Sequence, residues 1–196
     1  MSKLLLRQGD IHFRRDFGSL LNRLQQFDHA VEIGTHRGDF AATLLMAWKG
    51  PKLWCVDPYE HLYDPTDPAA LGDRNSDRRQ AENRLGPFGG RVEILEERSL
   101  DAAGRFADES LSFVYVDGCH QTEDTAADLN AWWPKVRIGG ILAGHDILCP
   151  AAPLGLWEHT VQPAVFEFTQ TVDHTLFLVK EDGEQPWSYY FRKVHA

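Results

Sequence analysis

The sequence predicts an α/β fold: a seven-stranded, mostly parallel sheet with helices on both faces and an antiparallel β-hairpin at its C-terminal end. Two observations predict it. Short apolar runs alternate with longer amphipathic runs five times, the pattern of strands joined by crossover helices. Several of the short runs, Phe113-Val114-Tyr115-Val116 above all, are apolar throughout, as strands buried on both faces are. At 196 residues the chain is long enough for one core that hides roughly 70 % of the unfolded surface.

The elements follow in order. Asp16–Phe27 reads as a helix, with Phe17, Leu20, Leu21 and Leu24 at helical spacing. Ala30–Ile33 is a strand that ends at Gly34, and Phe40–Trp48 a helix stopped by Gly50-Pro51. Leu53–Val56 is a strand that ends at Asp57. A turn-rich stretch with Pro58, Pro65 and Pro68 precedes a polar helix over Asp73–Leu85. Val92–Leu95 is the next strand and Leu100–Phe106 a short helix. The strand Leu111–Val116 ends at Asp117, the helix Thr125–Trp133 meets Pro134, and the strand Gly140–Ala143 ends near His145-Asp146. Leu156–Phe168 is helical. His174–Val179 and Ser188–Val194 form a hairpin about the turn signal Asp182-Gly183. One domain is expected: residues 1–28 as an N-terminal helical extension, 30–147 as a cofactor-binding core, and 155–196 as a helix plus terminal hairpin.

Composition excludes several classes. Apolar residues make up 43 % and charged residues 25 %, which is ordinary for a globule and too apolar for a disordered chain. No apolar run reaches membrane length, and the N-terminus has no signal-peptide h-region, so neither a membrane nor a secretory setting is expected. Cys55, Cys119 and Cys149 are widely spaced and odd in number, which gives no disulfide framework and a reducing, cytoplasmic default. The net charge of −9 disfavours a nucleic-acid partner, because a phosphate backbone calls for a basic surface. Arg14-Arg15 and Arg78-Arg79 read as solvated faces. Trp187, Tyr189 and Tyr190 read as exposed aromatics able to make a homo-oligomer contact.

In open α/β sheets ligands sit beyond the carboxyl ends of the strands. The polar residues at those ends are Glu32–Gly34, Asp57, Arg98-Ser99, Asp117–His120 and His145-Asp146, and they are expected to meet at one edge. The segment Glu32–Gly38 (EIGTHRG) is a strand-to-helix turn whose glycines let a ligand approach the backbone. A dinucleotide fingerprint needs glycine at 34, 36 and 39, and His36 and Asp39 stand at two of these, so a pyrophosphate-bearing cofactor is disfavoured. Asp57, 23 positions after Gly34, suits a pair of vicinal ribose hydroxyls; capping a turn before Pro58 is the competing role. His120 is a candidate general base, a capping histidine otherwise. Asp124 and Asp128 are expected to cap a helix and face solvent. Tyr59, His61, Tyr63 and Trp157 lie in loops that line a pocket or merely pack.

The segments Val31–Gly38 (VEIGTHRG), Trp54–Asp57 (WCVD), Val114–His120 (VYVDGCH) and Gly139–Asp146 (GGILAGHD) resemble class I S-adenosylmethionine-dependent methyltransferases. Within that class they look like the small-molecule O-methyltransferase group of macrolide and aminocoumarin sugar O-methyltransferases and cephalosporin-hydroxylase-like proteins. The resemblance spans about Ala30–Ile147 and departs at His36, where many members carry glycine. It implies a Rossmann-like sheet and S-adenosylmethionine as cofactor. Glu32, Gly34, Thr35 and Gly38 then belong to the turn beside the methionine part, Asp57 to the ribose, Ser99 to the adenine, and Asp117 to the reacting methyl group. Asp117, His145 and Asp146 fall where related O-methyltransferases hold Mg²⁺. Two carboxylates and an imidazole suit Mg²⁺ or a softer divalent metal that polarises a hydroxyl, or serve only to bind backbone or substrate. Asp117, His120 and His145 are the catalytic candidates, and a small-molecule hydroxyl is the expected acceptor. Two rivals remain at this level: a nicotinamide-dependent oxidoreductase, and a non-catalytic cofactor-binding module of the same fold.

Overall fold

A computed structural model describes residues 6–8, 10–60, 71–148, 158–180 and 187–195, with the side chains of 6–8, 148 and 158–159 left aside. Eight strands form one sheet: β1 (Leu6–Gln8), β2 (His29–Ile33), β3 (Leu53–Val56), β4 (Val92–Leu95), β5 (Leu111–Val116), β6 (Val136–Leu148), β7 (Leu176–Val179) and β8 (Trp187–Arg192). Their spatial order is β1-β7-β8-β6-β5-β2-β3-β4. All neighbours are parallel except β6–β8 and β7–β8. Among the described residues the α-helices are α1 (Phe17–Arg23), α2 (Asp39–Ala47), α3 (Arg74–Leu85), α4 (Ser99–Ala103), α5 (Thr122–Trp132) and α6 (Glu158–Val172).

The apolar strands bury because both faces are covered. All six residues of β5 are buried. On one face Phe17, Leu21, Phe40, Leu44 and Trp48 of the α1–α2 region pack on Phe113, Tyr115 and Tyr190. On the other, Leu129 and Trp132 of α5 and Val165 and Phe168 of α6 pack on Val31, Val114 and Phe191. Arg91 anchors the end of α2, donating to the carbonyls of Leu45, Trp48 and Gly50, which helix termination would otherwise leave without partners.

The sheet has one strand more than the sequence predicts. β1 is three residues of backbone pairing with β7, too short to show a periodicity. The first helix is seven residues, because Gln25 adopts φ 55° and the chain turns there. β6 is longer than Gly140–Ala143: the Gly139-Gly140 pair bulges inside it, and a Cβ at Gly140 would lie 3.0 Å from the Ser112 carbonyl oxygen. Tyr189 and Tyr190 are buried at 0 % and 3 % exposure and are core residues, contrary to the surface role expected of them, while Trp187 is half-buried against the same core. The Asp182-Gly183 turn lies outside the described residues, while the β7–β8 pairing it was expected to join is present. Among the described residues no helix is long and apolar enough to cross a membrane.

His174 fastens the C-terminal strand. It is buried, its Nδ1 faces the Val172 carbonyl, and its Nε2 accepts from the Val194 N–H at 3.1 Å, so the ring is neutral. Burial pushes its pKa below the ordinary value of about 6.5. The unfolded chain therefore takes up this proton at a higher pH than the folded one, and the stability His174 contributes is lost as the pH falls through 6.5 and below. Calorimetric melting at pH 7.5 and 5.5 is expected to show a larger drop for the wild type than for His174→Gln; equal drops would contradict it.

Candidate active site

The order of strands reverses direction between β2 and β5, the switch point at which open α/β sheets leave a crevice. The glycine turn and Asp117 face each other across it. Gly34 N–H donates to Val56 at 2.9 Å, and Asp117 N–H donates to Ile33 at 2.9 Å. Gly34 at φ 83° and Gly38 at φ 76° occupy the left-handed region, and a Cβ on Gly34 would lie 1.9 Å from the Asp117 carbonyl oxygen. His36 also adopts φ 49°, the place where the turn does without its usual middle glycine. Its strain is held by its N–H donating to Asp57 and its ring facing Asp77 at 3.5 Å.

Glu32 is buried at 2 % exposure, and its Oε2 has no hydrogen-bond partner among the described residues. Burial first, and the Asp117 charge second, push its pKa up to about 8. Cys55 and Thr35 lie beside it in the same buried layer.

Asp57 at the end of β3 is buried at 3 % exposure and accepts three hydrogen bonds. Its Oδ2 takes the His36 N–H at 2.8 Å; its Oδ1 takes the Tyr59 N–H at 2.8 Å and Arg74 Nη2 at 2.9 Å. Tyr59 is buried, and its hydroxyl donates to the His36 carbonyl, so it buttresses the turn. Arg74 also donates to Asp77 at 3.1 Å, and Arg37 donates to Asp77 at 2.7 Å. The sequence reading missed Arg74 and Asp77, since a helix with hardly any apolar stripe reads as a solvated face. The only signal was an acid four residues into a helix that must cover the glycine turn.

Ser99 opens α4 and is already engaged: it donates to Asp128 Oδ1 at 2.5 Å and accepts from Trp132 Nε1 at 2.8 Å. Asp128 is therefore not a solvated helix acid; it is 5 % exposed, and burial pushes its pKa up to about 6. Asp124 accepts from the Cys119 thiol at 3.0 Å. His61, Tyr63 and Trp157 lie outside the described residues.

The end of β6 is bulged: Gly144 pairs with Tyr189 and Leu148 with Trp187, leaving His145, Asp146 and Ile147 over, with Asp146 at φ 61°. This turns Asp146 toward β5. His120 Nε2 lies 2.9 Å from Asp146 Oδ2 and 3.9 Å from Asp117 Oδ1; His145 Nδ1 lies 2.9 Å from Asp146 and 3.8 Å from Asp117. Arg14 reaches Asp117 at 3.7 Å from the N-terminal segment. Burial lowers proton affinity at His120, but hydrogen bonds and charge from Asp117 and Asp146 outweigh it and push the pKa up to about 10. The same balance raises His145, while the two imidazoles hold Asp146 well below the carboxylate range. The raised proton affinity favours His120 as a hydrogen-bond donor to the two carboxylates. Ligand atoms of Asp117, His120 and Asp146 lie within 4.8 Å of one another, with His145, the imidazole expected beside the two acids, adjoining them.

Solved structures share the fold. A protein from Corynebacterium glutamicum shares the fold at 21 % identity, with 92 % of this chain and 81 % of that one covered and a TM-score of 0.65. The O-methyltransferase TomG from Streptomyces achromogenes, solved with SAM, matches at 18 % identity over 92 % and 79 %, TM-score 0.62. An rRNA methylase from Streptococcus thermophilus matches at 15 % identity over 92 % and 94 %, TM-score 0.59. No curated protein matches the sequence. The family model described as a methyltransferase domain matches residues 31–147, more than half of the sequence, running from within β2 to within β6, and the chain belongs to that family.

Proposed function

We propose that the chain transfers a methyl group from S-adenosylmethionine to a hydroxyl of a small molecule. The observation that carries this reading is a meeting at the switch point: a glycine turn with a buried carboxylate oxygen left unpartnered faces a carboxylate–imidazole cluster one strand away. Glu32 Oε2 offers an acceptor for a cationic amino group beside the turn. Gly34 and Gly38 keep side chains out of it. Asp57 is the ribose acid, Ser99 and Asp128 stand at the adenine end, and Asp117 places negative charge where a sulfonium is favoured, while Glu32, held largely protonated by its burial, is drawn to its charged form by a cation beside it. When bound, the cofactor supplies an electrophilic methyl carbon that leaves sulfur for the acceptor oxygen as the hydroxyl proton departs.

Asp117 is the entry point for that proton, being the most open of the cluster at 19 % side-chain exposure against 15 % for His120, 10 % for His145 and 3 % for Asp146. His120 and Asp146 orient it. Much of the rate comes from holding donor and acceptor in line. Asp117, His120 and Asp146 would hold a divalent metal through two oxygens and one nitrogen, a set that suits Mn²⁺ or Fe²⁺ at least as well as Mg²⁺. Such an ion would polarise the acceptor hydroxyl. The likeness to TomG supports oxygen on a small molecule, and the net charge of −9 weighs against a polyanionic acceptor. On this reading residues 30–147 form the cofactor-binding core of one domain, with 1–28 an extension and 155–196 its closing helix and hairpin.

Titration calorimetry tests the cofactor assignment. The wild type is expected to bind S-adenosylhomocysteine, and Asp57→Ala to bind it about 30-fold more weakly, the loss of hydrogen bonds to a charged acceptor. Unchanged affinity would remove Asp57 from the ribose. Incubation with S-adenosylmethionine and hydroxylated acceptors should release S-adenosylhomocysteine.

A further inference from the structure

We propose that Arg74 occupies one of the two ribose positions on Asp57 and thereby sets how tightly the cofactor binds; this rests on the reading of Asp57 as the ribose acid. A carboxylate offers about four lone-pair sites, two on each oxygen. In Asp57 the backbone N–H groups of His36 and Tyr59 fill one site on each oxygen. That leaves one on Oδ1 and one on Oδ2, side by side, the pattern a vicinal diol bridges. Arg74 Nη2 fills the Oδ1 site at 2.9 Å. With it in place a ribose can make one of its two hydrogen bonds, and at 3 % exposure Asp57 has no room for a looser approach.

Neither acid needs Arg74 to be satisfied. Asp57 keeps its two backbone donors, and Asp77 keeps Arg37 at 2.7 Å and His36 at 3.5 Å. Arg74 has somewhere to stay when it leaves Asp57: its Nη1 remains on Asp77 at 3.1 Å, and its guanidinium carbon lies 5.6 Å from the centre of the Tyr59 ring. The guanidinium is thus exchangeable with the ribose at Oδ1. Binding then takes two steps, release of Arg74 from Asp57 and closure of the diol on both oxygens, and the energy of the first is subtracted from the affinity. Arg74 acts on the cofactor through Asp57 and is a positioning residue rather than a catalytic one.

The test measures S-adenosylhomocysteine binding by calorimetry and stopped flow in the wild type, Arg74→Gln, the charge-balanced double variant Arg74→Gln/Asp77→Asn, and Asp57→Ala, each with a melting curve. Arg74→Gln is expected to bind about tenfold more tightly, the worth of one net charge-assisted hydrogen bond. The observed binding rate of the wild type should level off at high ligand concentration, while that of the variant keeps rising. If Arg74→Gln fails to fold, the double variant carries the same expectation. Equal or weaker binding in a folded Arg74 variant, with Asp57→Ala still weakened, overturns the proposal and leaves the ribose assignment standing. Unchanged binding in Asp57→Ala sinks both.

Discussion

Asp117→Asn is expected to lower kcat about a thousandfold while changing S-adenosylhomocysteine affinity less than tenfold. The carboxylate sits at the tip of β5, its backbone hydrogen-bonded to Ile33 at 2.9 Å, so its position belongs to the central sheet and survives the change. What is lost is the charge. Asp117 faces His120 at 3.9 Å, His145 at 3.8 Å and Arg14 at 3.7 Å, and it is the member of that group that a substrate oxygen can reach. An amide neither takes up the proton nor balances the Arg14 guanidinium and the imidazoles beside it, and the loss of a positioned proton acceptor typically costs 10²–10⁴ in rate. Affinity changes less, because the turn, Asp57 and Ser99 are untouched. Steady-state release of S-adenosylhomocysteine gives kcat, and calorimetry gives affinity. A variant within threefold of the wild-type kcat would take Asp117 out of the chemistry; a matching fall in affinity would make it a binding residue instead.

The parts of this site that the sequence disclosed are those whose reason is local. Leu53–Val56 and Leu111–Val116 end where their apolar runs end, and the acid that follows each strand is placed by that ending alone. Gly34 and Gly38 announce a left-handed turn because other residues are strained there. The rest depends on partners far away in the chain. Ser99 reads as a free hydroxyl until Asp128 and Trp132, 29 and 33 residues on, are seen to claim it. Arg74 and Asp77 read as a charged helix surface, and only the packing of α3 over the turn makes them buried. The His145-Asp146 pair was legible as a strand end, but the bulge that aims Asp146 at His120, 2.9 Å away, arises from pairing with β8 and has no signature in the residues themselves. Burial and register are collective, and a single sequence records them only where one face is continuously apolar.

Gly34→Ala is expected to destabilise the fold by about 3 kcal/mol or more, the largest stability effect of any single methyl group at this site. Two causes add. At φ 83° an alanine pays the left-handed penalty, about 1–2 kcal/mol. Its Cβ then meets the Asp117 carbonyl oxygen at 1.9 Å, the Asp117 carbonyl carbon at 2.5 Å and Gly118 Cα at 2.8 Å. All three are backbone atoms of the turn after β5, so no side chain can swing aside, and relief requires the tips of β2 and β5 to part at the switch point. For a chain of this size each kcal/mol shifts Tm by about 2–4 °C, so a fall of roughly 6–12 °C is expected. Gly38→Ala separates the two causes. Gly38 is also left-handed, at φ 76° and ψ 22°, but the nearest atoms to a Cβ there are those of the Leu85 side chain, at 3.1 Å and 3.2 Å, which can shift, so it pays chiefly the conformational part and should lose about half as much Tm. Equal melting shifts in the two variants would mean that β2 and β5 do not approach as closely as the site requires. A Gly34→Ala protein that melted normally and bound S-adenosylhomocysteine normally would remove the turn from the cofactor site altogether.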